Sequence, residues 1–91
     1  MDKASFKTAL DALLAHRAGR SGTLRSAFAA DPGRFATFSV TDGDLLLDWS
    51  KCAVDSKAMQ LLADLAAAAG VAAKRDAMFA GQKINITEDR A

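Results

Sequence analysis

Alanine supplies 21 of the 91 residues, which leaves only 24 large apolar side chains to build an interior. The 51% apolar content therefore overstates the core this chain can make, because an alanine methyl removes little area from water. Alanine suits close helix–helix approach, whereas a thick autonomous core needs larger side chains. A domain of this size buries only about 60–65% of its unfolded surface. The expectation is a single unit over residues 1–91, mainly α, and marginally stable in isolation.

The punctuation along the chain gives about four helices around one β-hairpin, an α+β arrangement. Phe6, Leu10, Leu13 and Leu14 form one stripe of a helix over residues 2–18. Arg17 suits the negative end of that helix, and Gly19 can supply a left-handed C-cap. Ser21 or Thr23 caps a second, shorter helix carrying Leu24, Ala27 and Phe28, which must end at Asp31-Pro32-Gly33. Phe35 and Phe38 follow in an irregular or single-turn segment. Residues 39–49 alternate like strands around Asp42-Gly43, which reads as a two-residue type I′ turn. Leu45, Leu47 and Trp49 then share one face, which is expected to pack on the helices, because an isolated hairpin is only marginally stable. Asp55 is the N-cap of a third helix, with Val54 and Met59 placed as a hydrophobic staple. That helix buries Ala58, Leu61, Leu62, Leu65, Ala66 and Ala69 and closes at Gly70, with Val71 making the apolar contact beyond the cap. Residues 72–80 form a fourth helix stopped by Gly81.

Charge and composition exclude several classes. Twelve basic and eleven acidic residues give a net charge of +1 with no basic stripe, so the footprint of a nucleic-acid binder is missing. The longest apolar run, residues 65–69, is far short of the roughly 20 residues of a membrane span, and residues 1–20 do not resemble a secretory signal. One cysteine permits no internal disulfide, which fits a reducing cytosol.

The candidate chemistry is sparse. His16 is the only histidine, and without an orienting carboxylate and a pocket it reads as solvated or helix-capping. Cys52 has no metal-ligand spacing and reads as a partly buried structural thiol. Arg17, Arg20 and Arg25 around Gly19 and Gly22 could attract an anion, but a solvated turn explains them equally well. The glycines form neither a phosphate loop nor a dinucleotide fingerprint. Glu88, the only glutamate, reads as a partner for a helix dipole. No catalytic, substrate-binding, cofactor-binding or metal-binding residue is assigned.

The last residues look like the opening of a helix that is not completed. Thr87 is a good N-cap, and Glu88 and Asp89 place negative charge in the first turn. Such a start is normally followed by roughly 8–20 helical residues, so the expectation is a piece of a longer protein, with the helix opening at 87–91 truncated.

The segment Asp76-Ala-Met-Phe-Ala-Gly-Gln-Lys-Ile-Asn-Ile-Thr-Glu-Asp-Arg-Ala91 closely resembles the N-terminal signature of the glucose-6-phosphate isomerase (phosphoglucose isomerase) family. In that family Met-Phe-x-Gly-x-x-Ile-Asn-x-Thr-Glu-x-Arg-Ala leads into a helix. Leu24-Arg-Ser-Ala-Phe28, Asp31-Pro-Gly-Arg-Phe35 and Leu45-Leu-Leu-Asp-Trp-Ser-Lys51 are similar to the family in the same order. Trp49 stands where Tyr is commoner. The resemblance runs from about residue 23 to the terminus.

That resemblance implies a cytoplasmic homodimeric α/β enzyme of glycolysis and gluconeogenesis. Such an enzyme interconverts glucose 6-phosphate and fructose 6-phosphate without a cofactor. The family's chemistry is ring opening followed by proton transfer through an enediol(ate), using a Glu base, a His and a Ser/Thr-rich phosphate loop. None of these matches Glu88, His16 or another position here, and Arg90 is expected to form a structural ion pair. The resemblance thus implies an inactive N-terminal helical segment whose partner is the remainder of the same polypeptide, with no nucleic acid or membrane. The alternative is a free-standing helical protein-interaction module using the Leu and Phe stripes as its contact surface.

Overall fold

A computed structural model describes residues 2–89. Its elements run α1 (Lys3–Ala18), α2 (Leu24–Ala30), α3 (Arg34–Thr37), β1 (Ser39–Asp42), β2 (Leu45–Asp48), α4 (Ser56–Ala68) and α5 (Val71–Phe79). The protein is mainly α with one antiparallel two-stranded hairpin. The one-turn α3 occupies the short segment between α2 and the hairpin.

Local chemistry accounts for the helix starts. Asp2 caps α1 by accepting from the Ala4 N–H at 3.1 Å and from the Ser5 hydroxyl at 2.6 Å. At α2 the cap is Thr23: its hydroxyl accepts from the Ser26 N–H at 3.1 Å, and Ser26 Oγ accepts from the Thr23 N–H at 2.9 Å. This reciprocal pair is a capping box with Ser in the place of Glu or Gln. Asp55 caps α4 by accepting from the Ala58 N–H at 2.7 Å. Gly70, at φ +77°, makes the left-handed reversal that sends the chain from α4 into α5.

The long helices pack through α4. α1 lies along α4, and α5 folds back against α4, while the hairpin touches the helices through α3. The interior is small, as the alanine content requires. Phe38, Ala58 and Leu61 are its buried apolar residues among those described, and Phe6, Leu10, Leu13, Leu65 and Ala66 are half-buried around them. The body measures 48 × 38 × 18 Å with a radius of gyration of 16.7 Å, against about 12 Å for a compact domain of this length. Its accessible surface is 7011 Å², against about 5,000 Å² for a compact monomer of this mass.

Several details differ from the sequence reading, each for a local reason. The hairpin pairs Asp42 with Leu45, so its loop is Gly43-Asp44 rather than Asp42-Gly43. Gly43 alone has positive φ, +58°, which is the requirement of a type II′ turn rather than I′. The helices do not cover the hairpin. Leu45 is 74% exposed, Leu47 62%, Leu46 57% and Val40 53%, so apolar side chains stand in solvent on both of its faces. The reason is geometric: only the base of the ribbon, at Phe38 and Trp49, reaches the helical layer. Gly19 caps α1 in a right-handed conformation, and the left-handed residue of that turn is Gly22. Leu14 and Leu62 fall at the edge of the α1–α4 seam and are half exposed. Val71 is also half exposed rather than covered.

Among the described residues the Thr87 hydroxyl is engaged with Asn85. Residues 86–89 form a turn in which Asn85 Oδ1 accepts from the Glu88 N–H at 3.3 Å and from the Thr87 hydroxyl at 2.8 Å. Asn85 thus anchors this turn, and Asp89 has φ +56°. Arg90 and Ala91, on which the expected helix opening at Thr87 and the Arg90 ion pair depend, lie outside the described residues.

Candidate functional site

The most tightly built polar site centres on Arg34, in the first turn of α3. Its guanidinium is buried and has no acidic partner among the described residues. Instead it donates from Nε to the Ser50 carbonyl at 2.7 Å, and from Nη2 to the Cys52 and Val54 carbonyls at 2.9 Å each. The cation also lies over two rings, 4.7 Å from the Phe38 centroid and 5.6 Å from that of Phe28. The irregular segment between β2 and α4 has no ladder to satisfy its carbonyls, and the planar fork of one arginine satisfies three of them. Asp48 secures the start of the same segment by accepting from the Ser50 hydroxyl at 2.6 Å and the Ser50 N–H at 2.8 Å. Those two bonds, the hydroxyl first, hold the Asp48 carboxyl below the usual carboxylate range.

A second polar pair closes the α1–α4 seam. His16 Nε2 lies 2.9 Å from Asp55 Oδ1 and 3.1 Å from Oδ2. His16 is therefore neither simply solvated nor a cap of its own helix: it has the carboxylate partner that the sequence does not reveal, 39 residues downstream. The same Oδ1 accepts the Ala58 N–H. The Asp55 pKa is lowered chiefly by that backbone bond, then by the His16 bond, with the charges of His16 and Arg20 adding to it against a desolvation cost.

An open groove runs beside this pair, bordered by His16, Arg20, Ser21 and Asp55. The hydroxyls of Thr23 and Ser26 along it are occupied by the capping box. Arg17 and Arg20 border a neighbouring apolar groove with Leu13 and Leu62, and Arg25 is absent from the lining of both. The three arginines weighed as an anion cradle are exposed and do not converge. Cys52 is exposed rather than partly buried; it contributes its carbonyl to Arg34. Glu88 accepts from Asn85 Nδ2 at 3.2 Å within the 86–89 turn. Among the described residues no group of three or more His, Cys, Asp or Glu could hold a metal ion, and no helix is long and apolar enough to cross a membrane.

Arg34 is the residue that reading the sequence misses. In Asp31-Pro-Gly-Arg-Phe35 it looks like an ordinary exposed turn cation, and the only local hint is its position between Phe28 and Phe38.

Comparison with known proteins adds a second line of observation. The sequence model of phosphoglucose isomerase matches residues 48–91. The chain is 63% identical over all 91 residues to a glucose-6-phosphate isomerase of Mesorhizobium japonicum, covering 17% of that protein at its N-terminal end. It is 59% identical over 68 residues to the glucose-6-phosphate isomerases of Brucella ovis and Brucella canis, which is 75% of this chain and 12% of theirs. The chain thus spans about a sixth or less of the length of the curated relatives it matches.

Proposed function

We infer that this chain, a member of the phosphoglucose isomerase family, is the N-terminal structural segment of an enzyme interconverting glucose 6-phosphate and fructose 6-phosphate. The observation that carries this reading is the 63% identity, over all 91 residues, to the N-terminal sixth of such an enzyme. The polar geometry agrees with a structural role. An aldose–ketose isomerase needs a poised carboxylate, an acid/base group for ring opening and an anion cradle around one pocket. Here Asp55 is committed to capping α4 and holding His16, and Arg34 to carbonyls of its own chain. The base, the ring-opening histidine and the phosphate loop belong to the parts of the enzyme beyond this segment. In the full-length protein the segment serves a cytoplasmic, homodimeric enzyme of glycolysis and gluconeogenesis that uses no cofactor.

The test is a coupled assay for fructose 6-phosphate on the purified 91-residue chain. Turnover no faster than buffer is expected. Activity that survives further purification and disappears in Glu88→Gln or His16→Ala would overturn the assignment of catalysis to the other segments.

A further inference from the structure

The β-hairpin is the part of this molecule that its own fold leaves unexplained. Leu45, Leu46 and Leu47 are consecutive, so β2 carries leucine on both faces. All three are more than half exposed. A strand that is apolar on both faces is the pattern of one covered from both sides. Trp49 continues the Leu45 and Leu47 face into the helical layer, where its indole nitrogen is already buried, so the leucines are the open part of that face.

We propose that the Leu45–Trp49 ribbon is a docking blade whose occupant is the remainder of the isomerase polypeptide, which covers both leucine faces. The proposal rests on the reading of the chain as that enzyme's N-terminal segment. Three observations favour this occupant over a second copy. The relative that matches the whole chain has more than four-fifths of its length outside the match. The chain exposes about 2,000 Å² more surface than a compact monomer of its mass, which is the scale of an extensive obligate contact rather than a transient one. The ribbon's charges are Asp42, Asp44 and Asp48, all acidic. Two copies paired symmetrically about Leu46 would set Asp44 against Asp48, and like charges directly opposed weaken strand pairing. A leucine blade with an acidic rim instead fits an apolar cleft with a basic border.

The test uses a full-length hybrid in which this chain replaces the matching N-terminal sixth of the Mesorhizobium japonicum enzyme, alongside the 91-residue chain itself. The hybrid is expected to be active, and amides of residues 39–48 should exchange at least tenfold more slowly in it than in the isolated chain. Leu45→Asp with Leu47→Asp should abolish that protection or lower the hybrid's melting temperature by several degrees, while leaving the melting of the isolated chain unchanged. An active hybrid whose hairpin exchanges as fast as in the isolated chain would overturn the docking proposal and leave the family reading standing. An inactive hybrid would overturn the reading on which the proposal rests. Sedimentation of the isolated chain as a dimer that the double substitution converts to monomer would assign the blade to a second copy, and so contradict the proposal.

Discussion

His16, in the last turn of α1, and Asp55, the cap of α4, are joined by an imidazole–carboxylate contact of 2.9 Å across the main helix–helix seam. One carboxylate therefore both starts a helix and ties it to another. Asp55→Ala should cost about 1–2.5 kcal/mol, combining a lost cap with a lost cross-helix bond. His16→Ala should cost less, about 0.5–1 kcal/mol, since solvent reaches both partners and screens the pair. Urea unfolding of both variants and of the double variant gives the coupling. Equal effects of the two single variants would contradict the dual role of Asp55.

Acid should weaken the fold through Asp2, Asp48 and Asp55, whose carboxyls are all held below their ordinary range by hydrogen bonds to their ionised forms. The sign follows from proton binding. Near and below about pH 4 the unfolded chain takes up protons that the folded chain still refuses, so stability falls as pH falls. It is fully present above that range. Asp55→Asn should flatten the stability profile below about pH 4, as followed by circular dichroism. A slope unchanged from the parent would remove Asp55 from this account.

Arg34 organises the connection between the hairpin and α4. Arg34→Met keeps the packing on Phe28 and Phe38 but strands the Ser50 and Val54 carbonyls, while that of Cys52 keeps the Val54 N–H, and should cost about 2–4 kcal/mol. Arg34→Lys should recover little of this, because one ammonium cannot reproduce the planar fork. Full rescue by Lys in a thermal melt would argue against the carbonyl geometry.

Gly43 sits at φ +58° in open space, so its requirement is conformational and not steric crowding. Gly43→Val should cost about 1–3 kcal/mol, whereas Asp44→Gly should be nearly neutral. A clear gain in stability from Asp44→Gly would restore a type I′ turn, in which both loop residues have positive φ. Denaturant midpoints of the two variants decide it.

What was legible in the sequence was local. Asp55, Thr23 and Gly70 declared their roles through neighbours within four residues, and so did the stop at Asp31-Pro32-Gly33. The hairpin was legible too, but its register depends on which two residues the ladder leaves unpaired, and Asp42 and Asp44 flank Gly43 symmetrically. The partners of His16 and Arg34 were not legible, because they lie 39 and 16–20 residues away and depend on how the helices cross. The open hairpin could not be foreseen from alternation alone. A two-residue period says that a strand has an apolar face, and says nothing of what covers it.

The central claim is that this chain supplies the N-terminal structural segment of an isomerase and none of its chemistry. Replacing the matching sixth of the Mesorhizobium japonicum enzyme with this chain tests that claim most directly. The claim predicts kcat and KM for glucose 6-phosphate within about tenfold of the parent enzyme, a loss of less than about 1.4 kcal/mol in transition-state stabilisation. It also predicts that His16→Ala and Glu88→Gln leave kcat of the hybrid essentially unchanged. A folded dimeric hybrid without activity, or a collapse of kcat in either variant at unchanged stability, would contradict it.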